Sequence, residues 1–143
     1  MTLTTTEQTI VERAAATPML PQVERWAAIN TGTRNLAGLK AMAGLLADEF
    51  AALPGDLALT GGTPVESVST DGTVNTIMHG DHLHLRVRPE AGIQMLFTGH
   101  MDTVFGADHA FQSMKWLEPG VLNGPGVADM KGGIAVLLAA LKA

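Results

Sequence analysis

The residues best suited to chemistry lie between Phe97 and Gly133, where the chain reads FTGHMDTVF, then a polar loop, then NGPGVADMKGG. His100 and Asp102 stand two apart at the end of an apolar run. On an extended chain their side chains project to one side while Met101 turns the other way into packing. A histidine that binds zinc through one ring nitrogen commonly donates its other N–H to a carboxylate, which sets the tautomer and raises ligand basicity. Asp102 is spaced for that orienting role, although a polar pair at a strand end is also an ordinary loop contact. Asp129 follows the Gly124-Pro125-Gly126 loop, whose glycines allow close backbone approach, and precedes a helix start that favours negative charge. Such a carboxylate can cap the helix. It can instead bridge two cations roughly 3.5–4 Å apart around a hydrolytic water.

Composition narrows the chemistry. With no cysteine among 143 residues, a thiol nucleophile, a disulfide scaffold and every thiolate zinc site are excluded, so a metal here must be held by His and carboxylates. A net charge of −5 without a dense Lys/Arg run gives no electrostatic footprint for nucleic acid or an anionic membrane. The hydrophobic content of 46% argues for a packed core. The start, MTLTTTEQTIVERAAATP, has neither a cationic n-region nor an apolar h-region, and no stretch reaches the roughly 20 apolar residues of a span. The expected location is the cytoplasm.

The elements that must position these residues are read from periodicity. Thr4–Thr6 with Glu7 offer an N-cap for a short helix, with Ile10, Val11 and Ala14 at helical spacing before Pro18. Residues 19–29 place Leu20, Val23, Trp26 and Ala27 on one stripe of a second helix. A third is predicted from about Leu36 to Leu53, capped by Asn35 and stopped by Pro54-Gly55. Alternation from Glu66 to Arg88 predicts a hairpin turning at His79-Gly80-Asp81. Ile93–Thr98 reads as a strand buried on both faces of an α/β sheet, delivering His100 at its carboxyl end. A short strand is expected near Val121-Leu122. Residues 130–143 read as an apolar helix with no stop signal, which points to a truncated chain.

GHMDTV followed by GPGVADMKGG resembles the co-catalytic zinc amidohydrolase and exopeptidase family, which includes aminoacylase, acetylornithine deacetylase, succinyl-diaminopimelate desuccinylase and glutamate carboxypeptidase. WAAINTGTRNLAGL also looks like that family's N-terminal segment, most like the glutamate carboxypeptidase branch, so the resemblance runs from about Gln22 onward. It implies a three-layer α/β catalytic domain with a mixed sheet, of which residues 1–143 would be the N-terminal, metal-binding part, the lid or dimerisation domain being absent. It implies two zinc ions, replaceable by cobalt, with His100 as the imidazole ligand of one, Asp102 its orienting catalytic carboxylate and Asp129 the bridging ligand. The peptide Asp129-Met130 is then expected to be cis. The general-base Glu, its neighbouring ligand Glu, a further acidic ligand and a C-terminal His would all lie past Ala143. The implied reaction is hydrolysis of an amide or peptide bond beside a free carboxylate, in an N-acyl amino acid or short peptide, by a homodimeric parent protein. The isolated chain is expected to be inactive; the alternatives are an inactive fragment or a small α/β binding module.

Other features are weaker. His79, His82 and His84 suit solvated hairpin positions, and His109 lies in the loop after the HMD motif. Lys131 can assist electrostatically beside Asp129 or be an ordinary first-turn lysine. The glycine run at 124–133 matches no nucleotide-binding spacing. No Gly-x-Ser-x-Gly surrounds Ser67, Ser69 or Ser113, and no His-Glu-x-x-His occurs.

Overall fold

The structure, a computed structural model, describes residues 2–143. Helix α1 (Thr5–Ala15) starts where predicted: the Thr4 hydroxyl accepts from Glu7 N, and the Glu7 carboxylate accepts from Thr4 N at 2.7 Å. This reciprocal box satisfies two of the donors a helix start leaves free. None of its residues is buried, however, and Ile10 and Val11 remain exposed.

Helices α2 (Leu20–Ala27), α3 (Leu36–Phe50) and later α4 (Gly132–Lys142) make the core. Val23 and Trp26 of α2, Met42 and Leu46 of α3, and Ile134, Ala135 and Leu138 of α4 form one buried cluster. Asn35 caps α3 as predicted, its Oδ1 accepting from Gly38 N at 3.1 Å. Met101 and Met130, which flank the chemical residues, pack against this cluster, so the site rests on the best-packed part of the molecule.

The β structure departs from the sequence reading. Strands β1 (Asp56–Thr60) and β4 (His82–Arg86) pair antiparallel, and β2 (Val65–Val68) pairs with β3 (Val74–Ile77). Residues 79–81 form no turn and only connect two ribbons, and the hairpin turns earlier. Asp71-Gly72 supply that turn: Gly72 has φ +85° and the Asp71 carboxylate accepts from Thr73 N. Asp-Gly is the stronger hairpin signal because the turn needs positive φ, which glycine adopts without a Cβ clash. β1 had no counterpart in the sequence reading. A third ribbon pairs β5 (Lys115–Glu118) with β6 (Val121–Asn123), the latter as expected.

The helices and strands make an α/β chain, yet among the described residues the strands form three two-stranded ribbons rather than one mixed sheet. Ile93–Thr98 is not a strand. A run buried on both faces needs neighbouring strands to take its backbone groups, and none pairs with it among the described residues. Ile93, Met95, Leu96 and Phe97 are accordingly exposed. No helix of the described residues is long and apolar enough to cross a membrane.

Candidate metal centre

What holds the site is the connection between α2 and α3. Thr103 N donates to Thr31 O at 2.8 Å and Thr33 N to Thr103 O at 3.0 Å, a short parallel bridge centred on Gly32 and Thr103. Glycine at 32 is required by contact: a Cβ there would lie 2.5 Å from Phe105 O and 2.9 Å from Gly106 Cα. Asn30 extends the clamp, its amide reaching Phe105 O, Gly106 O and the Gln112 side chain while its Oδ1 accepts from Gly32 N. The Asn35 amide donates back to Asn30, which links the α3 cap to the loop after His100.

The second wall is the turn Val127–Lys131 that enters α4. Gly126 sits at φ +76° in the left-handed region, and a Cβ on it would press on Lys131 Cδ and Thr103 Cγ2 at 3.0 Å. Asp129 (φ −127°, ψ 97°) and Met130 break helical geometry, and the peptide between them is cis, as the resemblance implied. Asp129 is not a helix cap. The N-cap of α4 is Lys131, which makes no side-chain capping bond.

These walls bring the three residues together. His100 Nε2 lies 2.9 Å from Asp129 Oδ1, and His100 Nδ1 lies 3.0 Å from Asp102 O and 3.3 Å from Asp102 Oδ1. Asp102 thus faces the expected ring nitrogen, but its backbone carbonyl makes the closer contact. The Thr33 hydroxyl donates to the other carboxylate oxygen, Asp102 Oδ2, at 2.6 Å. Burial lowers the His100 pKa, but the Asp102 carbonyl and the carboxylates of Asp129 and Asp102 outweigh it and raise the pKa above its ordinary value. The three residues line an open cleft of about 320 Å³ with Val104, Phe105 and Phe111 on its apolar side.

The donor pair fits a zinc ion. Two donors on one tetrahedral zinc, each about 2.0–2.1 Å from it, stand roughly 3.3 Å apart, close to the Nε2–Oδ1 separation. With Nδ1 turned to Asp102 as donor, the Nε2 lone pair is the one aimed at the ion. Among the described residues no group of three His, Cys, Asp or Glu side chains stands ready for a metal.

Lys131 follows neither of its two sequence readings. It is 1% exposed, and its ammonium crosses to Ile29 O at 2.9 Å just past the end of α2. Burial pushes its pKa down to about 8. His109 is part of an aromatic cluster with Phe105 and Phe111, its ring 5.0 Å from Phe105, and its Nδ1 accepts from Phe111 N. His82 and His84 lie 6.2 Å apart on β4 with no acidic partner completing a site. Sequence reading missed Asn30 and Thr33, although both stand in the INTGTRN stretch that carried part of the resemblance.

Residues 96–143, which contain His100, Asp102 and Asp129, match the model of peptidase family M20/M25/M40. Carboxypeptidase G2 of Pseudomonas sp. (strain RS-16) is 33% identical to it over 132 residues, which is 90% of this chain and 29% of that relative. The chain thus spans less than a third of the relative's length. Both matches support the zinc exopeptidase resemblance and its glutamate carboxypeptidase branch.

Proposed function

We propose that residues 1–143 are the metal-binding part of the catalytic domain of a di-zinc hydrolase that cleaves an amide or peptide bond beside a free carboxylate. Substrates of this class are N-acyl amino acids and short peptides, and the parent protein is a cytoplasmic homodimer. The observation that carries the reading is the His100 Nε2–Asp129 Oδ1 approach, with Asp102 behind the other ring nitrogen.

Bound zinc, or cobalt in its place, would polarise the scissile carbonyl and activate the attacking water. His100 would hold one ion through Nε2 and keep its proton on Nδ1, where the Asp102 carbonyl and carboxylate accept it. Asp129 would place a carboxylate between the two ions. Asp129 lines the cleft and does not cap α4. Phe105, Phe111 and Val104 would shield the apolar side of the cleft from water. The proton transferred from water needs a general base, assigned to a Glu outside this chain.

The complete enzyme is expected to bind two zinc ions per chain and to lose both zinc and at least about a thousandfold in kcat when His100→Ala is made. Unchanged zinc content in that variant would sink the assignment. The isolated 143-residue chain supplies two ligands where a catalytic zinc uses about three, which favours an inactive fragment as its state. Tight stoichiometric zinc binding with turnover by the isolated chain would overturn that part.

A further inference from the structure

Asp102 has two carboxylate oxygens with different partners. Oδ1 faces His100 Nδ1 at 3.3 Å, and Oδ2 takes the Thr33 hydroxyl at 2.6 Å. Thr33 and Asp102 are 69 residues apart, so this bond is a product of the fold. We propose that Thr33 is a positioning residue: its hydroxyl fixes the rotation of the Asp102 carboxylate and, through it, keeps the His100 ring turned with Nε2 toward Asp129.

Three observations carry this. The Thr33 backbone is itself immobilised, because its N–H and the Thr103 N–H form the two rungs of the bridge that closes on Gly32. Its β-branched side chain has few χ1 choices, so a fixed backbone implies a fixed hydroxyl. The hydroxyl has one proton and two neighbouring acceptors, Asp102 Oδ2 at 2.6 Å and Thr103 O at 3.2 Å. A charged acceptor at the shorter distance takes the proton, since charge-assisted bonds are shorter and about twice as strong. Without that donor the carboxylate, about a third exposed, is free to turn toward solvent and away from the ring.

Asn30 belongs to the same device. It anchors the loop that follows Asp102 and Thr103, and its amide has two protons for three acceptors, so it can satisfy two of them at any moment. The carboxylate orientation therefore depends on the α2–α3 connection as well as on the segment that carries His100 and Asp102.

The consequence for metal binding rests on the proposed role of His100 as a zinc ligand; the consequence for the ring does not. The test uses Thr33→Val, which keeps the branched shape without the hydroxyl, Thr33→Ala as a second deletion if the valine chain misfolds, and Thr33→Ser, which keeps the hydroxyl. In the metal-free chain, ¹⁵N spectra of the His100 imidazole in its neutral form are expected to show, for the parent and for Thr33→Ser, the Nδ1–H tautomer populated beside the Nε2–H tautomer that Asp129 favours. In the hydroxyl-deleted chains the population should shift toward Nε2–H. Zinc affinity by chelator competition should fall roughly 3–10-fold on deletion and return to within about twofold in Thr33→Ser. Deletions that lower thermal stability while tautomer and affinity match the parent would show a merely structural threonine and overturn the proposal. A tautomer shift on hydroxyl deletion, together with a complete enzyme that binds no zinc, would uphold Thr33 and defeat the zinc reading. Zinc bound equally by all variants with no tautomer shift would do the reverse.

Discussion

The ring of His100 and the carboxylate of Asp129, separated by 29 residues, meet at 2.9 Å because one lies beside the Gly32–Thr103 bridge and the other on a turn that passes behind Thr103. Neither wall alone makes a donor pair. Their common support is Thr103, which is buried, pairs with Gly32 and lies close against Gly126 at the start of that turn.

Removing either donor should therefore cost more metal affinity than removing charge elsewhere. Asp129→Asn keeps shape and hydrogen bonding but loses the anionic oxygen, and is expected to weaken zinc binding by about a hundredfold or more. Asp108→Asn, in the loop nearby, should change it by less than about twofold. Competition against a chelator at fixed pH distinguishes the two, and equal effects would contradict the proposed ligands.

Proton competition gives a second prediction. Because the folded pKa of His100 is raised, protons compete with metal for Nε2 more strongly than they would at an ordinary histidine. Zinc affinity should rise with pH until His100 is neutral. In the metal-free chain the same shift acts on stability in the opposite direction. The stabilisation is fully present below the unfolded pKa and is lost as pH rises through the folded one. NMR titration of the His100 ring should give a midpoint above 6.5 that drops in Asp129→Asn.

Lys131 has the opposite sign. Its pKa falls from 10.5 in the unfolded chain to about 8 when buried, so between those values the unfolded state binds the extra proton and stability rises with pH. The rise attributable to Lys131 is about 3 kcal/mol between pH 7 and pH 11. Lys131→Met should abolish that slope in urea unfolding measured across this range. At pH 7 its net effect should be small: the relieved burial of a charge is offset by an Ile29 carbonyl left without its donor, about 1–3 kcal/mol. An unchanged slope would show that Lys131 does not titrate in this window.

Gly32→Ala should separate the two walls. A methyl group 2.5 Å from Phe105 O meets backbone, which cannot rotate aside as a side chain can. Overpacking of this kind costs about 1–3 kcal/mol. The prediction is a lower urea midpoint together with weaker zinc binding. Gly44→Ala, at a helical glycine whose added methyl meets nothing within 4 Å, should be neutral or stabilising by several tenths of a kcal/mol.

The helices were legible because each carries its own start and face. Thr4 with Glu7 and Asn35 with Gly38 are local bonds, and the Val23, Trp26, Ala27 stripe is set by 3.6-residue periodicity. Strand pairing was not legible in the same way. β1 and β4 find each other across an intervening hairpin, and Ile93–Thr98 has strand composition without a partner strand among the described residues. Composition specifies the tendency to extend; it does not supply the neighbour that takes the backbone hydrogen bonds.

By itself the sequence determined the donor types and their order. The absence of cysteine leaves imidazole and carboxylate as metal ligands, two-residue spacing links His100 to Asp102, and glycines prepare the turn before Asp129. Tertiary structure alone decided which atoms face one another. The Asp102 carbonyl rather than its carboxylate lies nearest His100 Nδ1, Thr33 takes the remaining oxygen, and Lys131 turns inward to Ile29 instead of toward the cleft. The physical reason is range. Propensity, capping and ligand chemistry act over a few residues, whereas these contacts span 69 and 102 residues in the cases of Thr33 and Lys131 and exist only once helices α2, α3 and α4 have packed.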